Sequence, residues 1–386
     1  MKFLHTSDLH LGKRLINKSR IDEQREVLEE IANLCESEKV DVLIVAGDVF
    51  DNFVPTSEAE QLFFDFLKQT ASPSRAVVVI SGNHDDWQRL SASHYLAGKL
   101  NAYIFGGENV PPASGDIVKC VEAGNNYLKI KKDKESVYVG VLPYPGEARL
   151  NEKKSELSYG ERIKEWVKDC FKNNQDNLPA ILCTHLFMLG GEKSESERDI
   201  ELGGTRIVEP SVLGNNILYT ALGHLHKRQV VASSKNALYS GSILQYAFDE
   251  VGHEKSVTCF EIVNNSVQNL QIIPLKGGKK LVKLIAEGVE SGKQLLNKYP
   301  DCHVHLTLVL KEVLSEAESK ELISDYPQLT ELDLKLNGIY GGVEGEERKK
   351  LDDKQLFEEY YKTKTGESVP EEVLEIYLKA LSEEKL

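Results

Sequence analysis

Asp8-Leu9-His10, Gly47-Asp48, Gly82-Asn83-His84-Asp85, His185 and Gly223-His224-Leu225-His226 are the stretches whose residue types and spacing could do chemistry. Asp8, His10, Asp48, Asn83, His185, His224 and His226 make a mixed oxygen and nitrogen donor set without thiolate. Such a set suits manganese, iron or zinc, whereas a purely oxygen set would suit magnesium or calcium. Seven donors are too many for one tetrahedral ion and suit two ions sharing a carboxylate, for which Asp48 is the natural choice. Paired ions roughly 3.5–4 Å apart clamp the attacking and leaving oxygens of an in-line displacement at phosphorus. The residues therefore point to two-metal hydrolysis of a phosphate ester.

Each ligand group closes a short apolar run: Phe3-Leu4, Val42 to Ala46, Val77 to Ile80, Ala180 to Cys183, and Leu218 to Leu222. Periodicity alone does not separate a buried strand from a buried helix at this length. The β-branched content and the abrupt glycine stops favour strand. Ligands at the carboxyl ends of adjacent strands converge on one crevice, where open α/β sheets place their sites.

Taken together in chain order, these motifs resemble the calcineurin-like metallophosphoesterase superfamily. Ser7-Asp8-Leu9-His10-Leu11-Gly12, Ala46-Gly47-Asp48-Val49-Phe50-Asp51 and Tyr239-Ser240-Gly241-Ser242 narrow the resemblance to its double-strand-break repair branch. That branch holds the SbcD-type nuclease subunits, partners of an SbcC-like ABC-type ATPase. The match is close over residues 1–275 and looser beyond. It implies a two-sheet α/β sandwich flanked by helices, a smaller α/β capping domain and a C-terminal helical pair.

The resemblance also implies that Asp8, His10, Asp48 and His226 hold one ion and Asp48, Asn83, His185 and His224 the other, with Mn²⁺ as the metal. His84 would touch the scissile phosphate and protonate the leaving oxygen, which needs an imidazole titrating near working pH. The plainer reading of His84 is that it orients a ligand. Asp51 stands where archaeal and eukaryotic relatives carry a second active-site histidine; its expected part is a hydrogen bond to a ligand or to His84. The implied activities are 3′–5′ exonuclease on duplex DNA and endonuclease on single strands or hairpins, in repair and recombination. Two rivals stay open: a nucleotide or cyclic-nucleotide phosphodiesterase on the same metal core, and a scaffold that mainly tethers DNA ends.

Composition bounds these readings. At 386 residues the chain can hold two or three domains, and its net charge of −14 argues against a general nucleic-acid binder. Bound ions would supply positive charge where a phosphate sits. Lys13, Arg14, Arg89, Lys227 and Arg228 lie beside the ligands in sequence, and stand equally as DNA contacts or as a solvated rim. Met1-Lys2 runs straight into the first strand, no stretch has membrane-spanning length, and the six cysteines lack CxxC spacing. A reducing cytoplasmic setting without a disulfide framework is expected.

Three parts are expected along the chain. Residues 1–275 form the nuclease domain, 276–343 a capping domain entered through a linker at Gly277-Gly278-Lys279-Lys280, and 344–386 a helical tail. In the first part, Ile21 to Cys35 reads as an amphipathic helix, and Ser57 to Gln69 as a second one with Ser57 and Glu60 as a capping box. By family, this second helix and the Arg89 to Lys99 stretch would form a homodimer. Glu147 to Asn177 reads as a charged helical insert, and Gly190 to Gly204 as a polar loop leaving the metal crevice. In the tail, Lys354 to Tyr361 and Pro370 to Leu381 read as two short helices that, by resemblance, grip the ATPase coiled coil.

Overall fold

A computed structural model describes residues 1–106, 115–146, 156–197, 206–214, 216–231 and 236–336, with scattered positions from 354 to 374. Among these, the strands form two large mixed sheets. The first runs Ser266–Pro274, Ser256–Val263, Lys2–Thr6, Val42–Val45, Ala76–Ile80, Ala102–Phe105. From Lys2–Thr6 onward its neighbours are parallel, and the two strands on the other margin are antiparallel. The second sheet runs Gln229–Val230, Ala237–Tyr239, Tyr219–Gly223, Ala180–His185, Glu135–Leu142, Tyr127–Lys132, Val118–Gly124. It too has a parallel centre and antiparallel margins.

The apolar runs explain this layering. Val42 and Ile44 point between the sheets with Phe3, Val78, Val139, Ile181 and Ala221, while Leu43 and Val45 point to the opposite face. A strand buried on both faces reads as an unbroken Val/Ile/Leu run, which is why alternation is absent from the sequence here. The outer face of the first sheet packs on helices Ile21–Ser37 and Ser57–Thr70, and the second sheet packs on Tyr159–Phe171. Each fully buried Val, Leu or Phe contributes about 1.5–3 kcal/mol of transfer free energy.

The ligand-bearing strands divide between the sheets: three neighbours in the first and two in the second. The site is therefore not the crevice of one open sheet but the place where the carboxyl edges of two sheets meet. One further expectation is corrected. The cap of the Ser57–Thr70 helix is Thr56, whose hydroxyl accepts from Ala59 N at 3.3 Å; Ser57 is already helical. The stretch at 276–279 is held by hydrogen bonds. Its backbone N–H groups donate to Glu30, Glu26 and Glu23, which line one face of the Ile21–Ser37 helix.

The chain divides into two compact units, the larger comprising Met1–Lys283, Tyr299–His305 and Pro327–Glu331. The strands Lys280–Glu287, Cys302–Leu310 and Leu329–Leu336 form a three-stranded sheet, with helices Val289–Leu296 and Glu316–Asp325 between them in sequence. The expected tail helices, the 147–155 part of the insert and the 198–204 part of the polar loop lie outside the described residues, apart from isolated tail positions. No described helix is long and apolar enough to cross a membrane.

Candidate metal centre

Two loops from the first sheet run side by side and set the ligand backbones. Asp8 N, His10 N and Leu11 N donate to Gly47 O, Asp48 O and Val49 O at 3.0, 3.0 and 2.9 Å. Asp8, His10, Asp48 and His224 take positive φ of 53, 44, 49 and 111°, which side chains other than glycine rarely adopt. Such strain costs about 1–3 kcal/mol per residue and gathers at sites where surrounding contacts enforce it. Gly82 and Gly223 beside the ligands have a different reason, close approach. A Cβ at Gly82 would strike the Asp48 carboxylate, and one at Gly223 would strike Ala46 O.

All seven expected ligands fall into one cluster, and six of them are almost fully buried. His10 Nε2 faces His226 Nε2 at 2.9 Å. Asn83 Oδ1 lies 2.9 Å from both His185 Nε2 and His224 Nδ1. Between these two groups sits Asp48, whose Oδ2 is 3.5 Å from His10 Nε2 and 3.5 Å from His185 Nε2. One carboxylate oxygen thus reaches both halves of the cluster. Asp8 lies beside it, accepting from His224 N at 3.0 Å and from Ser7 Oγ at 2.5 Å.

The donor set fits divalent cations. His185 Nδ1 donates to Ala46 O at 2.9 Å, which turns Nε2 toward Asn83 and Asp48. Burial pushes His10 down to about 3 and also lowers His226 and His224, the last helped by the charge of His185. Burial therefore favours the neutral form of these rings, the state in which imidazole binds metal. Burial also raises Asp8 to about 8. Burial opposes charge on His185 and Asp48 as well, but their mutual attraction prevails: His185 rises to about 9 and Asp48 falls well below the usual carboxylate range.

His84 and Asp51 adjoin the cluster. His84 N donates to Asp48 Oδ1 at 2.8 Å, and its Nδ1 bonds Asp51 O at 2.8 Å, leaving Nε2 4.0 Å from Asp48 Oδ2. Asp51 Oδ1 lies 3.5 Å from His10 Nδ1 and 2.9 Å from Lys13 Nζ. Burial would raise its pKa, but the bond from His10 and the Lys13 charge carry it below the usual range. The expected DNA-contact residues have protein partners: Lys13 holds Asp51, Arg89 holds Glu60 at 2.8 Å, Lys227 holds Glu192, and exposed Arg14 reaches Asn17 O.

Several residues of the centre escape sequence reasoning. Asp85 accepts from Gly82 N, Val49 N and Phe50 N at 2.8, 3.1 and 2.9 Å, stapling the two loops that carry Asp48 and Asn83. Gln24 donates to His10 O at 2.7 Å, and Tyr246 OH to Leu9 O at 2.5 Å. On the His185 side, Tyr144 lies 6.2 Å from the His185 ring and accepts from Arg206 at 3.2 Å. Phe187 lies 5.9 Å from the His224 ring, with Lys193 over its own ring at 4.7 Å. Asp85 alone carries a sequence signal, as the last residue of Gly-Asn-His-Asp; the others come from distant segments.

Two mixed sheets that deliver a buried Asp/His/Asn cluster from their joined carboxyl edges define a calcineurin-like phosphoesterase, and the model of that family matches residues 1–228. The SbcD subunit of the SbcCD nuclease of Bacillus subtilis is 32% identical, over 99% of this chain and 98% of that protein. The SbcD subunits of Escherichia coli K12 and Rhodobacter capsulatus are 31% and 29% identical, over 70% and 77% of this chain and 68% and 74% of theirs. The chain belongs to the SbcD-type family of metal-dependent, phosphodiester-hydrolysing nuclease subunits.

Proposed function

We propose that this chain is the Mn²⁺-dependent DNA nuclease subunit of an SbcC–SbcD-type complex, cutting duplex ends 3′–5′ and opening single strands or hairpins. The observation that carries the reading is Asp48 Oδ2, 3.5 Å from a histidine of each ligand group. Asp8, His10, Asp48 and His226 hold one ion; Asp48, Asn83, His185 and His224 hold the other. When bound, the two ions supply the positive charge against which charge builds on the phosphate oxygens during displacement.

The side chains do the rest. His84 directs Nε2 into the cluster because Nδ1 is committed to Asp51 O. From Nε2 it hands a proton to the leaving 3′ oxygen. Asp51 keeps the His10 and His84 rings in place rather than acting on the substrate. Lys13, Arg14, Arg89 and Lys227 exchange their present partners for DNA phosphates. Residues 276–343 cap the cleft, residues 344–386 grip the ATPase, and the helix at 57–70 and the Arg89 to Lys99 stretch pair two copies.

The test is Mn²⁺-dependent cleavage of end-labelled linear duplex and hairpin DNA by wild type and His84→Ser at equal metal content. Cutting by wild type, with a loss of about 10²–10⁴-fold in the variant, is expected for a general acid. Hydrolysis of a small chromogenic phosphodiester without any DNA cleavage, with the ATPase partner present, would overturn the DNA reading.

A further inference from the structure

The two ligand groups differ in what holds their histidines. His185 is oriented by a backbone carbonyl, Ala46 O at the end of a buried strand region, so its ring is fixed by the sheets themselves. His226 is oriented by a side chain from the segment 192–197. Its Nδ1 lies 2.5 Å from Ser196 Oγ, and Ser196 Oγ lies 2.5 Å from Glu250 Oε1. The other Glu250 oxygen is ion-paired with Lys255 Nζ at 2.5 Å, in a place where both side chains are more than nine-tenths buried. Lys255 completes its donors with His226 O at 2.9 Å and Ser242 Oγ at 2.8 Å.

The proton directions follow from this chain. Glu250, paired with Lys255, is an acceptor, so the Ser196 hydroxyl donates to it. Ser196 Oγ then accepts from His226 Nδ1–H. That fixes the tautomer in which Nε2 carries the lone pair facing His10 Nε2.

Segment 192–197 is itself tied down at several points. Glu192 N donates to Gln229 Oε1 at 2.8 Å, and Gln229 Nε2 returns a bond to Glu192 O at 3.0 Å. Glu195 N donates to Asp249 Oδ2 at 2.7 Å. Glu197, buried, accepts from His226 N at 2.5 Å and from Ser194 N at 3.0 Å.

We infer that Ser196 is a positioning residue, and that segment 192–197 is a latch completing only the His10/His226 half of the centre. The two ions are then bound unequally: one by a rigid scaffold, the other only while the latch is closed. This rests on the two-ion reading given above. Ser196 touches neither substrate nor ion, and it acts through the His226 ring.

The experiment is calorimetric titration of the full metal-free chain with Mn²⁺ alone, for wild type, Ser196→Ala and Ser196→Thr, with amide hydrogen exchange of residues 192–197. Wild type is expected to bind two ions and to gain protection across 192–197 with the second. Ser196→Ala is expected to keep one ion at wild-type affinity and weaken the other about 10–100-fold. Ser196→Thr, which keeps the hydroxyl, restores it. Asp249→Ala, which loosens the latch without touching His226, should weaken the same ion. Two ions of unchanged affinity in Ser196→Ala would overturn the latch alone; no Mn²⁺ bound by wild type would overturn the two-ion reading beneath it.

Discussion

Removing the Asp85 carboxylate tests how the ligand loops are held. Its two oxygens accept from Gly82 N, Val49 N and Phe50 N, and the side chain is only 3% exposed. Asp85→Ala leaves three buried donors without a partner. Hydrogen bonds to a charged group contribute about 1.5–3 kcal/mol each. The carboxylate is not held freely, however: burial and the nearby Asp48 charge push it up to about 7. Deleting it relieves that repulsion, so the net loss is nearer 1 kcal/mol per bond, about 3 kcal/mol in all.

Asp85→Asn gives a sharper contrast. With its amide oxygen toward Gly82 N and Val49 N, the NH₂ group faces Phe50 N–H and one bond is lost, costing about 1 kcal/mol. Urea unfolding of the metal-free protein, followed at Trp87 two residues downstream, measures both variants. A loss about three times larger for alanine than for asparagine is expected, with Mn²⁺ affinity weakened about 10–100-fold in the alanine variant. Equal losses, or an alanine variant within about 0.5 kcal/mol of wild type, would refute the staple.

Gly82→Ala should be worse for metal than for folding, since its Cβ displaces the Asp48 carboxylate that both ions share; expect about 1–3 kcal/mol of destabilisation and weakened binding of both Mn²⁺ ions in a titration. Glu23 gives a pH signature. Burial opposes its charge, but bonds from His303 and Arg20 prevail and bring it down to about 2. Its contribution is present above the ordinary 4.5 and is lost as pH falls through about 2. Glu23→Gln should therefore be less stable than wild type by up to about 3 kcal/mol at pH 7, the gap closing toward pH 2 in denaturant titrations. Adding Mn²⁺ should stabilise the EDTA-treated protein by about 2.7 kcal/mol for each ion present at about 100 times its Kd, read as a rise in Tm; the Asp48→Ala protein should show little rise.

The parts of this molecule legible in its sequence are those whose cause is local. Val42–Val45 and Ala76–Ile80 are unbroken apolar runs because both their faces are covered, and the glycines that stop them are needed where a Cβ would meet a ligand. Those runs do not reveal which strands share a sheet. Val45 pairs with Thr6 in one sheet and His185 with Gly223 in another, a division set by packing across a common core. The Thr56 cap falls one residue before the expected Ser57 because the two are adjacent hydroxyls. Only backbone geometry distinguishes the residue outside the helix from the first one inside it.

The supporting shell is hidden for a different reason. Gln24 meets His10, Ser196 meets His226 and Glu250, and Lys255 meets Ser242; these pairs are separated by 13 to 54 residues with no motif between them. Ligands must be particular residue types at particular strand ends, which produces a pattern. A group that orients a ligand need only present one donor or acceptor at the right point, and Ser, Gln, Glu, Tyr or a backbone carbonyl can each do that. Ala46 O serves His185 without any constraint on the Ala46 side chain, whereas His226 depends on a serine hydroxyl. The half of the centre whose support rests on a replaceable side chain is therefore the half that variation can tune, and segment 192–197 supplies that side chain.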